Sequence, residues 1–365
     1  LNQSVPPPRV WIVTGDKAGD NAQIDAVVER LPWPVEYRRL YFKRPFVKGK
    51  PPFLASLYHV DRSRSDVLAA PWPDAVITIG RRPAMAALWI RQQSDGHTKI
   101  VLFGRPKRHL QHFALVVVSA QFRVAEAANV LNVSLPLMRI DQERLDLERA
   151  QWQGTFAAIP HPVIAVLVGG ATQPYAFNAA DANELLRQAR TYCGDTGCLY
   201  VTTSRRTPPA AVAALRTGIT ARDRFYEWGE SANPYYGLLA HADGFVVTGD
   251  SMSMITEVAR LNRPLAIFAL RRAPAKQFLR DWLGPAPEYL KYRVLPRFGF
   301  TAYPRDLTEI HRWLYDARSA VPAGQSFSSI SATARDDLDE VVAAIVAACS
   351  PAQTSRMENE RLTGR

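Results

Sequence analysis

The chain has 365 residues, 47% of them hydrophobic and 22% charged, which suits roughly two globular domains and excludes a disordered or low-complexity protein. A formal net charge of +11 points to anionic partners, among them nucleotide phosphates, acidic lipid and nucleic acid. Three cysteines are too few for a disulfide framework, and no apolar run approaches the ~18–20 residues that cross a bilayer, so a cytoplasmic protein with free thiols is expected.

Along the chain, short β-branched runs alternate with stretches of helical spacing, the pattern of parallel sheets covered by helices. The first half offers strands at 9–14 (RVWIVT), 35–40 (VEYRRL), 74–79 (DAVITI), 99–103 (KIVLF) and 113–118 (FALVVV), with a helix clearest at 83–90. Residues 141–159 are charged, Gln-rich and free of strand character, so the boundary is placed there. The second half starts over with strands at 162–168 (PVIAVLV), 198–202 (CLYVT), 224–228 (RFYEW), 244–248 (GFVVT) and 264–270 (PLAIFAL). Residues 335–349 form a last amphipathic helix, and 350–365 a polar tail. Such near-continuous apolar strands suit sheets buried on both faces. The local signatures of dinucleotide folds, Walker loops, serine hydrolases and zinc proteases are all missing. Cys193 and Cys198 have the spacing of half a zinc site, but no second pair follows, and no metal is expected.

In open α/β sheets ligands gather at the carboxyl ends of strands, and the loops there carry the chemistry. After the first strand comes Thr14-Gly-Asp-Lys-Ala-Gly-Asp-Asn-Ala-Gln23, which supplies Asp16 and Asp20 as candidate catalytic carboxylates; Asp20 can instead cap the following helix, leaving Asp16 the freer base. His59 and His241 are lesser candidates. In the second half, Gly169 and Gly170 can bring backbone N–H groups close to a diphosphate. The run Thr202-Thr203-Ser204-Arg205-Arg206-Thr207-Pro208 offers hydroxyls and two guanidiniums for phosphate, or a helix cap. Trp228 offers a flat face for a base, or fills the core. Ser251-Met-Ser253-Met254-Ile-Thr-Glu257 joins a strand to a helix start, where unpaired N–H groups and the helix dipole favour an anion. Ser251 or Ser253 can cap that helix, and Glu257, one turn in, can accept bonds from a ribose diol. A basic cluster interleaved with aromatics (Arg38, Arg39, Lys43, Arg44, then Lys48 and Lys50) suits an acidic membrane surface or a lipid-linked acceptor, with Lys17 beside it; it equally suits a solvated loop. No nucleic-acid motif accompanies it.

The 14–23 loop, Val168-Gly-Gly170, the 202–208 run and Val247-Thr-Gly-Asp-Ser-Met-Ser-Met-Ile-Thr-Glu257 closely resemble the Elm-type mitochondrial fission family, in that family's order. The resemblance implies a fold similar to GT-B glycosyltransferases: α/β, two Rossmann-like domains facing across a cleft. It places an acceptor domain at 1–150 and a nucleotide-sugar domain at 151–349, whose last helix can pack back on the first domain. The second half also looks distantly like the membrane-associated N-acetylglucosaminyltransferase of peptidoglycan precursor synthesis. By that likeness Gly169 and Gly170 match a phosphate loop and Glu257 a ribose carboxylate. Ala171 stands where that enzyme has Ser, and the Gly-Gly-His pattern is missing from the 14–23 loop, so its base and acceptor do not carry over.

These readings converge on a metal-independent glycosyltransferase with no cofactor beyond its donor substrate, a nucleotide-diphosphate sugar. It is expected at the cytoplasmic face of the inner membrane, acting on an envelope glycolipid or glycan. The alternatives are a non-catalytic membrane scaffold of the fission family and a nucleotide-sugar epimerase; a nucleic-acid binder ranks last.

Overall fold

A computed structural model describes residues 6–48, 51–106, 108–122, 124, 126–138, 140–171, 175–230, 232–271, 306–330 and 337–350. Lys50 of the basic cluster, residues 172–174 after the glycine pair, residues 335–336 of the last helix and the tail beyond 350 lie outside them.

Two six-stranded sheets, parallel throughout, form two Rossmann-like domains that face across a cleft, the GT-B arrangement. The first holds β1 (Val10–Thr14), β2 (Val35–Arg39), β3 (Ala75–Ile79), β4 (Lys99–Phe103), β5 (Leu115–Ser119) and β6 (Val130–Val133), in the order β2-β1-β3-β4-β5-β6. The second holds β7 (Val163–Leu167), β8 (Cys198–Thr202), β9 (Arg224–Tyr226), β10 (Gly244–Thr248), β11 (Leu265–Phe268) and β12 (Val321–Pro322), in the order β12-β11-β10-β7-β8-β9. β1, β3, β5, β7, β8 and β10 are buried along their whole length, which is why they read as unbroken apolar runs instead of alternating ones. β2, at an edge, is only half-buried and carries the charges of Glu36, Arg38 and Arg39.

Helices cover both faces. α1 (Ala18–Val28) and α3 (Arg81–Gln93) pack on the first sheet, and α2 (Arg44–Lys48) is a single short helical turn. α5 (Ala179–Arg190), α6 (Pro209–Gly218), α7 (Tyr235–His241), α8 (Met252–Arg260) and α9 (Thr308–Asp316) belong to the second. Local sequence sets their ends: Asn178 and Asp181 form a capping box on α5, and Pro208 and Pro209 open α6, where a missing N–H costs nothing.

Two helices bear on the limits of the two domains. Residues 141–159 hold α4 (Gln142–Ala157), capped by Asp141, whose Oδ1 accepts the Arg144 N–H at 2.9 Å. Residue 150 therefore lies inside a continuous helix. Its few apolar residues are enough: Leu145, Trp152 and Phe156 pack with α7 into the core of the second sheet. The last helix, α10 (Leu338–Cys349), buries Leu338, Val341, Ile345 and Cys349 against Ile24, Val27 and the strands of the first sheet. At about 1.5–3 kcal/mol per buried large side chain, that seam fastens the chain's end to its beginning.

Candidate active site

The carboxyl edges of both sheets border one cavity of about 630 Å³. It lies where each strand order turns back, between β1 and β3 in the first sheet and β7 and β10 in the second, the places where such sheets bind ligands. Five cations, Lys17, Arg81, Arg82, Arg105 and Arg206, line it against three carboxylates, Asp16, Asp20 and Asp250.

On the first wall, Asp16 is held rather than free: its Oδ1 accepts a bond from Arg82 Nη2 at 2.8 Å. Arg82 is only 8% exposed, gives Nη1 to the Phe46 and Val47 carbonyls, and lies 4.2 Å over the Phe42 ring. Asp20 does not cap α1. Lys17 occupies the cap position without a side-chain bond, and Asp20 sits inside the first turn with Lys17 Nζ at 3.6 Å. Asn21 Nδ2 donates to the Gly15 carbonyl at 3.0 Å and ties down the loop. His59 is buried behind this wall, donating from Nε2 to the Arg82 carbonyl at 2.9 Å, and burial lowers its pKa. His241 stacks on Phe156 and bonds the Arg149 carbonyl, away from the cavity lining.

Gly169 and Gly170 stand behind the second wall, outside the cavity lining, and their amides are already spent. Gly169 N–H donates to the Thr248 hydroxyl at 2.7 Å and Gly170 N–H to Asp250 Oδ2 at 3.1 Å. Asp250 has no exposed side-chain surface; it also accepts the Thr248 hydroxyl at 2.8 Å and pairs with Arg206 Nη1 at 2.9 Å. Burial raises its pKa against the lowering pull of Arg206, Thr248 and Gly170. A Cβ at Gly169 would stand 2.5 Å from Asp250 Oδ1, so the close approach of these loops requires glycine.

The 202–208 run is used chiefly to hold loops together. The Ser204 and Thr207 hydroxyls both donate to the Gly169 carbonyl, and Thr203 Oγ1 accepts the Trp228 backbone N–H at 3.0 Å. Of the two expected phosphate arginines, Arg206 reaches the cavity but pairs with Asp250, and exposed Arg205 does not line it. Trp228 is 52% exposed rather than buried in the core.

Ser251 stands at the cap position of α8, yet neither it nor Ser253 makes a side-chain cap bond. Ser251 is buried and lines the cavity with Met252 and Ser253, while Met254 packs against the core of the second sheet. Glu257 is not in the lining. Its carboxylate accepts a hydrogen bond from the Tyr235 hydroxyl on α7, and burial raises its pKa above the pull of Tyr235 and Arg144.

The basic cluster divides. Arg38 leaves it, bonding Glu36 at 2.6 Å and stacking 4.6 Å over Trp11. Arg39, Lys43 and Arg44 remain exposed.

The sequence profile of the mitochondrial fission ELM1 family matches residues 18–280. The chain belongs to that family. Relatives include the mitochondrial fission protein ELM1 of Arabidopsis thaliana, 27% identical over 218 residues, 53% of this chain and 51% of that protein. The chain thus spans about half the length of that relative. An uncharacterized protein of Rickettsia prowazekii (strain Madrid E) is 25% identical over 297 residues, 71% of this chain and 82% of its own length. Among solved structures, UDP-GlcNAc 2-epimerase from Neisseria meningitidis bound to UDP-GlcNAc is similar, 9% identical with a TM-score of 0.49, over 93% of this chain and 99% of that one. At that score the likeness carries no functional weight.

The cavity also contains groups that the sequence motifs do not single out, Asp250, Arg81, Arg82 and Arg105; outside its lining, Tyr235 holds Glu257. Asp250 had a signal, an acid wedged between Gly249 and Ser251 at a strand end. The arginines had one too, each close behind a strand and a glycine.

Proposed function

We propose that the chain is a glycosyltransferase of GT-B type that moves a sugar from a nucleotide-diphosphate sugar to an envelope glycolipid or glycan at the cytoplasmic membrane face. One observation carries this reading: a single cavity bordered by the switch points of both sheets, with carboxylates on one wall and a helix start beside an arginine on the other. The donor diphosphate would sit on the second wall, its charge met by Arg206 and by the first-turn N–H groups behind Ser251 and Ser253. Arg206 is half-exposed on Asp250, so it can turn to phosphate without crossing the cavity. Trp228 would stack the base. Glu257, one turn along α8, would take the ribose after releasing Tyr235. On the facing wall Asp16, oriented by Arg82, would accept the proton of the attacking hydroxyl.

Membrane contact would come from Lys43 and Arg44 beside the exposed Tyr41, Val47, Leu54 and Tyr58. No described helix is long and apolar enough to cross a membrane. Replacing Arg39, Lys43 and Arg44 with Ser should weaken binding to anionic vesicles by about 1 kcal/mol per cation. Undiminished binding in a vesicle-flotation assay would move the contact elsewhere.

A second reading, a scaffold that kept the fold without catalysis, is favoured by the commitment of the Gly170 amide and Arg206 to Asp250. A thermal-shift panel of UDP, GDP, ADP, CMP and their sugar conjugates separates the two. The transferase reading expects a rise with one nucleoside diphosphate that Glu257→Ala abolishes. A flat panel on folded protein favours the scaffold, and turnover of the donor alone would make the chain an epimerase.

A further inference from the structure

The first wall of the cavity repeats one device on two neighbouring strands. β3 and β4 pair in parallel, with Ile79 opposite Phe103. Each is followed by a glycine and then an arginine: Gly80-Arg81 after β3, Gly104-Arg105 after β4. Both glycines have positive φ, 80° and 102°, a backbone that other residues adopt only with strain. Their N–H groups extend the ladder one step past the strands, Gly80 to the Phe103 carbonyl at 3.1 Å and Gly104 to the Val117 carbonyl at 2.8 Å. The chain therefore turns off both strands at the same level, and both arginines line the cavity.

Each guanidinium lies over an aromatic ring, Arg81 5.5 Å from the centre of Phe53 and Arg105 5.6 Å from that of Phe122. Arg81 gives Nε and Nη2 to the Pro51 carbonyl, at 3.0 and 2.6 Å, and no carboxylate pairs with it among the described residues. Burial lowers the pKa of both, and repulsion from Arg81 lowers that of Arg105 further. Both guanidiniums are half-buried on the lining of one cavity, and guanidiniums match a phosphate's oxygens two at a time. On the same wall Arg82 and Lys17 each face a carboxylate of their own, Asp16 and Asp20.

We infer that Arg81 and Arg105 form a second anion subsite, separate from the one at Arg206 and Ser251, which holds the phosphate or diphosphate ester of an amphipathic acceptor. The apolar part of that acceptor would run along Phe53, Phe122 and Val47 toward Leu54, which is 54% exposed. The subsite's role as an acceptor site rests on the transferase reading; its existence does not.

The test is calorimetry on the full chain with farnesyl diphosphate, inorganic pyrophosphate and UDP, each alone and in the presence of the others. Farnesyl diphosphate should bind alongside UDP. Arg81→Gln and Arg105→Gln should each weaken it at least tenfold and leave UDP affinity within twofold, whereas Arg206→Gln should do the reverse. Equal affinity in the double variant overturns the subsite, as does one-for-one competition with UDP. If pyrophosphate binds as tightly as farnesyl diphosphate, the subsite takes free phosphate and the lipid-linked acceptor falls. Dependence on Arg81 and Arg105 without any UDP binding keeps the subsite and removes the transferase reading. Should the variants not fold, phenylglyoxal labelling of the unaltered protein decides. Pyrophosphate should protect Arg81 and Arg105 but not exposed Arg205, and no protection counts against the site.

Discussion

Two of the buried aspartate–arginine pairs around the second sheet, one at each edge, behave in opposite ways. Asp223, at the amino edge before β9, pairs with Arg190 at 2.8 Å; Asp250, at the carboxyl edge after β10, pairs with Arg206 at 2.9 Å. Neither aspartate side chain has any exposed surface. Burial pushes both carboxyls up, but the Asp223 pKa ends at about 2 while that of Asp250 ends above its usual value. Asp250 lies deeper, so burial weighs more on it, and the donors around the two carboxyls differ as well. Asp223 takes both terminal nitrogens of Arg190, the Leu199 and Thr220 N–H groups and the Thr220 hydroxyl. Asp250 takes Arg206, the Gly170 N–H and the Thr248 hydroxyl. Two buried aspartate–arginine pairs thus differ in how firmly the carboxyl holds its charge: donors outweigh burial at Asp223, the lock, and burial outweighs them at the deeper Asp250, the adjustable pair. The lock is far from the cavity and the adjustable pair lines it.

Removing each arginine is the strongest way to break this comparison. Arg190→Ala leaves a buried charge that strongly favours ionisation, and should cost about 3–5 kcal/mol at pH 7 in urea unfolding. Arg206→Ala should cost less, about 1.5–3 kcal/mol at most, because burial already disfavours the charged Asp250 and less favourable pairing is lost. Equal losses would show that the two pairs are interchangeable.

Acid titration sharpens it. The Asp223 pKa falls from 3.8 to about 2 on folding, so its contribution is present above pH 3.8 and is lost as pH drops through about 2. By linkage it is worth about 2 kcal/mol. Asp250 has its folded pKa raised, so its contribution is present below pH 3.8 and is lost as pH rises through the raised value. Relative to the unaltered protein, Asp223→Asn should therefore grow worse as pH rises through that lower window. Asp250→Asn should grow better above pH 3.8. Unfolding midpoints that slope the same way would contradict the assignment.

The lock and the adjustable pair were not equally legible. The strand ends were: unbroken apolar runs such as 163–167 and 244–248 located the buried strands and hence the loops at their carboxyl ends. The missed strands, β6 with an exposed Asn132 and two-residue β12, are too short or too polar to show a period. Helix α4 was hidden because Leu145, Trp152 and Phe156 are spread among charges. Within the site, the motif 247–257 drew the eye to Ser251 and Glu257, while partner choice stayed hidden. That Gly170 bonds Asp250, Arg82 holds Asp16 and Tyr235 reaches Glu257 follows from contacts between residues 22 to 80 positions apart. Residue type shows that a group can bond; only packing shows what it bonds.

The smallest expected effect tests the same division from the binding side. Trp228 stands on the carboxyl edge, its backbone fixed by Thr203 and its ring half in solvent, so it contributes little to the core. A base stacked on it would gain about 1 kcal/mol, the low end for base–aromatic contacts, since one face of an exposed ring stays wet. Trp228→Ala should therefore weaken binding of the cognate nucleotide about fivefold and leave the urea midpoint unmoved, while Arg190→Ala should do the opposite wherever it remains folded. Nucleotide should also quench the Trp228 component of fluorescence, read as the difference between the protein and Trp228→Ala. If affinity and quenching are unchanged but stability falls, Trp228 belongs to the framework, and the carboxyl edge would lose its claim to be the binding edge on that side.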